Sequence, residues 1–189
     1  MKAIEEFKKI LDKFDAKYQE LADYYNFECE RCGQCCNQPV PINSPFEVLL
    51  LQEYFDKLDK VVQEKIIRRA RTYKREIERR VYVKPSSFLD FCRFFLGFGL
   101  EEEKLAGIQC PLLEDDLCML YKARPIACRK YGVPAKRRPT LPPCFSSDKK
   151  IDKKVSWLPL HMEVRKLEKK YGYDDKFSML LPEALLMFS

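Results

Sequence analysis

A chain of 189 residues with 46% hydrophobic and 34% charged side chains can bury the core of one domain, and its composition excludes disorder, low complexity and internal repeats. The opening Met1 to Lys9 carries acids and has no unbroken apolar stretch, and the windows 88–100 and 179–188 are interrupted by Asp90 and Arg93 or by Pro182 and Glu183, so neither a secretory signal nor a membrane span is expected. The expected compartment is the cytoplasm, where nine cysteines suit metal ligation better than a disulfide framework; the net charge of +6 is concentrated late in the chain.

Ile4, Phe7, Ile10, Leu11, Phe14, Tyr18, Leu21 and Tyr25 recur at helical spacing and predict a first amphipathic helix to about residue 26. It delivers the chain to Cys29. Pro39 and Pro41 then hold the backbone extended, and Ser44-Pro45-Phe46-Glu47 reads as a capping box opening a second helix through Leu58. Val62, Ile66, Ala70, Tyr73, Ile77 and Val81 predict a third helix from Asp59 to Tyr82, which Pro85 ends. A short fourth helix carries Phe88, Phe91, Cys92 and Phe95, and here Cys92 is read as core packing. Residues 107–145 hold six of the twelve prolines, which predicts irregular backbone with short strands or turns. In that stretch Leu117 to Tyr121 is a candidate strand, and Pro125 a candidate opener of the turn that presents Cys128. A last helix is expected over about 156–171.

The chemistry is concentrated in the cysteines. Two thiolates separated by two residues can turn toward one ion, and Cys29-Glu-Arg-Cys32-Gly-Gln-Cys35 repeats that spacing. The doubled pattern matches the opening of bacterial iron–sulfur runs, in which three close cysteines hold three corners of a cubane and a distant one completes it. Gly33 suits the tight turn between them. Neighbouring side chains in extended backbone point to opposite sides, so one of Cys35 and Cys36 is expected to serve another site. With Cys110, Cys118, Cys128 and Cys144 there are eight candidate ligands, enough for two four-thiolate centres or for one cubane beside a structural zinc.

The segment from Cys110 through Cys118 to Arg124-Pro125-Ile-Ala-Cys128-Arg129, taken with Cys29 to Cys36, resembles the YkgJ-type cysteine-cluster family of zinc- or iron-chelating domains over roughly residues 28–134. The resemblance implies that Cys29, Cys32, Cys35, Cys36, Cys110, Cys118 and Cys128 are the family cysteines. It also implies a link to flagellin lysine N-methylases, which look like iron–sulfur methyl-transfer enzymes, although no S-adenosylmethionine motif is recognisable in this chain.

Arg124 and Arg129 flank Cys128 and are read as support for a thiolate site. Residues 121–170 carry 15 Lys or Arg against 4 Asp or Glu, a basic balance that admits an anionic partner, whether nucleic acid or acidic protein. Lys136, Arg137 and Arg138 are read as a plain surface loop, and His161, the single histidine, as a packing or surface group. The expectation is a mainly α fold: one domain over residues 1–189, in which helices buttress an irregular cysteine-rich metal lobe with motifs at 28–37 and 110–131 and a basic loop at 129–154. The expected function is metal binding, with a [4Fe–4S]-type centre used in redox, methyl-transfer or sulfur chemistry. The rival is a structural zinc module with a basic surface. Whether the chain is an enzyme, and its oligomeric state, are left open.

Overall fold

The structure, a computed structural model, describes residues 2–27, 33, 36–37, 39–81, 107–134, 152–173 and 177–189. Cys29, Cys32, Cys35 and Cys144, the helix expected around Phe88 with Cys92, and the basic residues Lys136, Arg137 and Arg138 lie outside them.

The fold is mainly helical. Helix α1, Lys2–Tyr25, buries Phe7, Ile10, Leu11, Phe14, Leu21, Ala22 and Tyr25, the stripe that the three- and four-residue spacing dictates. Its end is sharply defined. Asn26 takes the left-handed conformation at φ 51°, the N–H of Phe27 donates to the carbonyl of Ala22 at 2.8 Å, and that of Asn26 to Asp23 at 3.1 Å. This Schellman arrangement satisfies the last carbonyls and turns the chain toward the cysteine run.

Helix α2, Pro45–Phe55, begins as expected with Ser44 as its cap and Pro45 in the first turn, and the Ser44 Oγ accepts the N–H of Phe46 at 3.3 Å. It ends at Phe55 rather than Leu58. The Gln63 side chain donates to the carbonyls of Phe55 and Leu58, each at 3.0 Å, and so closes the turn between α2 and the next helix. That next helix, α3 at Lys60–Val81, buries Ile66, Ile67, Ala70, Tyr73 and Ile77.

Two small antiparallel pairs follow. Strand β1, Pro41–Ile42, pairs with β4, Met179–Leu180, so that Pro41 faces Leu180. Strand β2, Leu113–Glu114, pairs with β3, Leu117–Cys118, with Leu113 facing Cys118. Asp115 and Asp116 join β2 to β3 with φ of 47° and 61°, the two positive angles of a type I′ hairpin turn. Instead of a strand to Tyr121, the chain goes on through a 3-10 turn, Tyr121–Ala123, to a short helix α4, Ile126–Lys130, with Pro125 at its cap. Helix α5 covers Leu158–Lys170, matching the late helix expected from the sequence.

Helix α5 is not the last element. A short helix α6, Leu181–Leu186, follows β4 and buries Leu181, Pro182, Ala184 and Leu185. Pro182 and Glu183, which interrupt this apolar window in sequence, are its start signals: Pro182 sits in the first turn, and the Glu183 carboxylate accepts the N–H of Leu180 at 2.8 Å.

One main core joins these pieces. It includes Phe7 and Phe14 of α1, Phe46, Leu50 and Leu51 of α2, Ile66 and Ala70 of α3, Leu112 and Leu120 around the hairpin, and Leu181 and Leu185 of α6. Phe7 lies against Phe46 with ring centres 5.6 Å apart, and Phe14 stacks on Trp157 at 5.7 Å. Among the described residues no helix is long and apolar enough to cross a membrane.

Candidate metal centre

After the stop at Asn26 the chain enters the cysteine run, of which Gly33, Cys36 and Asn37 are described. The N–H of Cys36 donates to the carbonyl of Gly33 at 2.9 Å, closing a turn in which Gly33 has φ +67°. A Cβ at Gly33 would lie 3.1 Å from both the Asp116 Oδ1 and the Leu113 Cδ2. The turn is therefore pressed against the β2–β3 hairpin, and a glycine is needed there for two reasons, backbone angle and space.

A backbone hydrogen bond joins the two distant motifs. The N–H of Cys110 donates to the carbonyl of Cys36 at 2.8 Å. The Cys110 carbonyl in turn accepts from Leu113 at 3.0 Å, and the register Leu113 to Cys118 brings β3 back beside it. Cys110 is buried in the main core, and Cys36, Cys118 and Cys128 are half-buried against the same core. Helix α4 carries Cys128.

Tyr73 on α3 is buried close to two of these thiols. Its phenol is pushed well above the ordinary tyrosine range, by burial first and then by the negative charge of Cys110 and Cys128, so it remains protonated beside them. From α3, Arg69 donates to the carbonyl of Leu113 at 3.0 Å, and Lys65 pairs with Glu114, fixing the hairpin to the frame.

The arginines flanking Cys128 are held by protein partners. Arg129 is only 5% exposed; it donates to the carbonyl of Arg124 at 3.0 Å, to that of Lys122 at 2.6 Å, and to Asp15 of α1. Burial lowers its pKa and the Asp15 carboxylate opposes that shift. Arg124 reaches the same Asp15 at 2.8 Å and lies over the Tyr121 ring at 4.1 Å. These guanidinium groups anchor the lobe to α1.

Glu47, read from the sequence as half of a capping box, does something wider. It is 3% exposed; one oxygen accepts the N–H of Asn43 at 2.9 Å and the other the N–H of Ile126 at 2.7 Å, at the start of the helix that bears Cys128. His161 packs edge-on against Phe14 and its Nε2 lies 2.9 Å from the Lys130 ammonium; burial, with Lys130 and Arg165, lowers its pKa to about 4. A neutral ring beside an ammonium accepts a hydrogen bond from it. Among the described residues no group of three or more His, Cys, Asp or Glu is gathered to hold an ion. The eight nominated cysteines divide evenly: Cys36, Cys110, Cys118 and Cys128 share the lobe, and Cys29, Cys32, Cys35 and Cys144 lie outside the described residues.

A helical frame that carries thiols of two distant motifs on one lobe defines a cysteine-cluster protein. The chain belongs to the family named CxxCxxCC, described as "Putative zinc- or iron-chelating domain", whose model matches residues 28–140. The family name spells the spacing of Cys29, Cys32, Cys35 and Cys36, and the matched span includes Cys110, Cys118 and Cys128 and ends before Cys144. Neither the curated proteins nor the solved structures yield a match. The donor set fits the chelating description, because thiolates are soft ligands suited both to zinc and to iron–sulfur clusters.

Proposed function

We propose that this chain is a single cysteine-cluster domain that holds a [4Fe–4S]-type centre. Cys29, Cys32 and Cys35 would supply three thiolates, and Cys110, Cys118 or Cys128 the fourth. The observation that carries this reading is the hydrogen bond from Cys110 to Cys36, which joins the second motif to the end of a run with cubane spacing. Such a group supplies one-electron transfer or, with an open iron, Lewis-acid chemistry for methyl transfer or sulfur handling. The chain's own residues provide the setting: Gly33 permits the turn, Tyr73 keeps a protonated phenol near Cys110 and Cys128, and Arg129 with Asp15 holds the helix of Cys128 in place.

A second reading has its own support. Cys36 follows Cys35 directly and bonds through its backbone to Cys110, so a closed tetrathiolate zinc site with Cys36 and thiols of the second motif is available. In that reading the basic stretch over 121–170 would face a nucleic acid or an acidic protein, and the compartment in both readings is the cytoplasm.

Anaerobic purification followed by iron, sulfide and zinc analysis separates the two. Brown protein with iron and acid-labile sulfide in equal amounts is expected. Colourless protein with stoichiometric zinc, and no iron on reconstitution, would overturn the cluster reading in favour of the zinc one. Anomalous scattering at the iron and zinc edges then assigns the ligands.

A further inference from the structure

The same short helix that bears Cys128 has a second face. On it, between the start of α2, α4 and α5, lies a cavity of about 60 Å³ lined by Glu47, Lys130, His161, Arg165 and Glu168 among others. One water needs about 10–15 Å³ of such space, so the cavity has room for roughly four waters, or a molecule of about four to six non-hydrogen atoms.

Glu168 provides the second observation. It is 1% exposed, and its Oε2 accepts from the Arg165 guanidinium at 2.7 Å. Its other oxygen, Oε1, is buried with no hydrogen-bond partner among the described residues. A buried carboxylate oxygen without a donor is costly, and because Glu168 lines the cavity an occupant can supply the donor it lacks. Arg165 stands at the mouth, 43% exposed, with one of its five N–H donors committed to Glu168.

The charges narrow the occupant. Glu168 repels an anion, while Lys130 and Arg165 repel a bare divalent cation, and among the described residues no three-donor metal group is present. Both signs of charge stand on the wall, so a molecule that carries both signs matches the lining. We propose that this cavity binds a small zwitterion of the α-amino-acid class, its ammonium group donating to Glu168 Oε1 and its carboxylate meeting the outer N–H donors of Arg165. None of the cysteines lines it.

The test is an NMR titration of the isolated full chain with glycine, L-alanine, methylammonium or acetate, following amides of residues 126–130 and 161–168. Saturable shifts with glycine or L-alanine are expected, at least about tenfold tighter than with methylammonium or acetate, since the loss of one charge-assisted contact is worth about that factor. Arg165→Gln should weaken glycine about tenfold without weakening methylammonium, because it also frees the Glu168 carboxylate, and Glu168→Gln should weaken both. Arg165 lies at the mouth, so its variant reports on binding even if Glu168→Gln fails to fold. No saturable response to either amino acid, or equal affinity for methylammonium, would overturn the proposal.

Discussion

The carboxylate of Glu47 on α2 caps helix α4 by accepting the N–H of Ile126 at 2.7 Å, across the core from its own helix. Burial raises its pKa from 4.5 to about 7, against the pull of the N–H donors of Ile126 and Asn43. The carboxyl therefore binds its proton more tightly folded than unfolded. Its contribution to stability is complete below pH 4.5 and declines as the pH rises to about 7, by up to roughly 3 kcal/mol at about 1.4 kcal/mol per unit. His161, held near 4, acts in the opposite direction over part of this range, so wild type alone does not isolate the effect. Glu47→Gln does: urea midpoints should show the advantage of wild type over the variant shrinking between pH 4.5 and 7. A gap that stays constant over that range rules the assignment out.

Gly33→Ala and Gly107→Ala form a matched pair. Both glycines have positive φ, +67° and +82°, so both substitutions carry the left-handed penalty of about 1–2 kcal/mol. Only Gly33 is crowded, with Leu113 and Asp116 atoms 3.1 Å from the new methyl, whereas Gly107 has nothing within 4 Å. Gly33→Ala should cost about 1 kcal/mol more than Gly107→Ala and should also lower the metal content of the purified protein. Equal costs and equal metal content would mean that the turn does not depend on the hairpin.

Asp15→Asn removes the shared partner of Arg124 and Arg129. Because Arg129 is buried while Asp15 is 37% exposed, the expected loss is about 2 kcal/mol, below that of a fully buried pair. Hydrogen exchange should accelerate at residues 126–130 before the rest of α1 is affected. Exchange unchanged in α4 would show that the pair does not hold the helix of Cys128.

Serine substitutions sort the thiols. Cys110→Ser and Cys128→Ser should reduce bound metal by more than half, while Cys144→Ser, beyond the family span, should leave it unchanged. A fall in metal with Cys144→Ser would instead support two four-thiolate centres.

Much of the frame is legible in local sequence. The stripes of α1 and α3, and Ser44 with Pro45 at the head of α2, are short-range patterns and fold as such. The spacing of the cysteine run, which the family name spells, is equally local. What the sequence hides is long-range. Glu47 looks like a capping residue for its own helix because its partner Ile126 belongs to another, and Tyr73 looks like one more apolar position of α3 until Cys110 and Cys128 are seen beside it. Pro182 reads as an interruption because a six-residue helix is too short for its periodicity to stand out. The β1–β4 pair has two residues a side and no turn to announce it.

That pairing has a kinetic consequence. Pro41, just past the cysteine run, finds its partner only in Leu180, and α1 rests on α5, so the support around the thiols is closed by contacts of very long sequence separation. Such contacts form slowly, after the loop-closure entropy has been overcome. During synthesis the sulfur atoms emerge well before their shelter exists, and for that interval they are open to oxidants and to whichever soft ion arrives first.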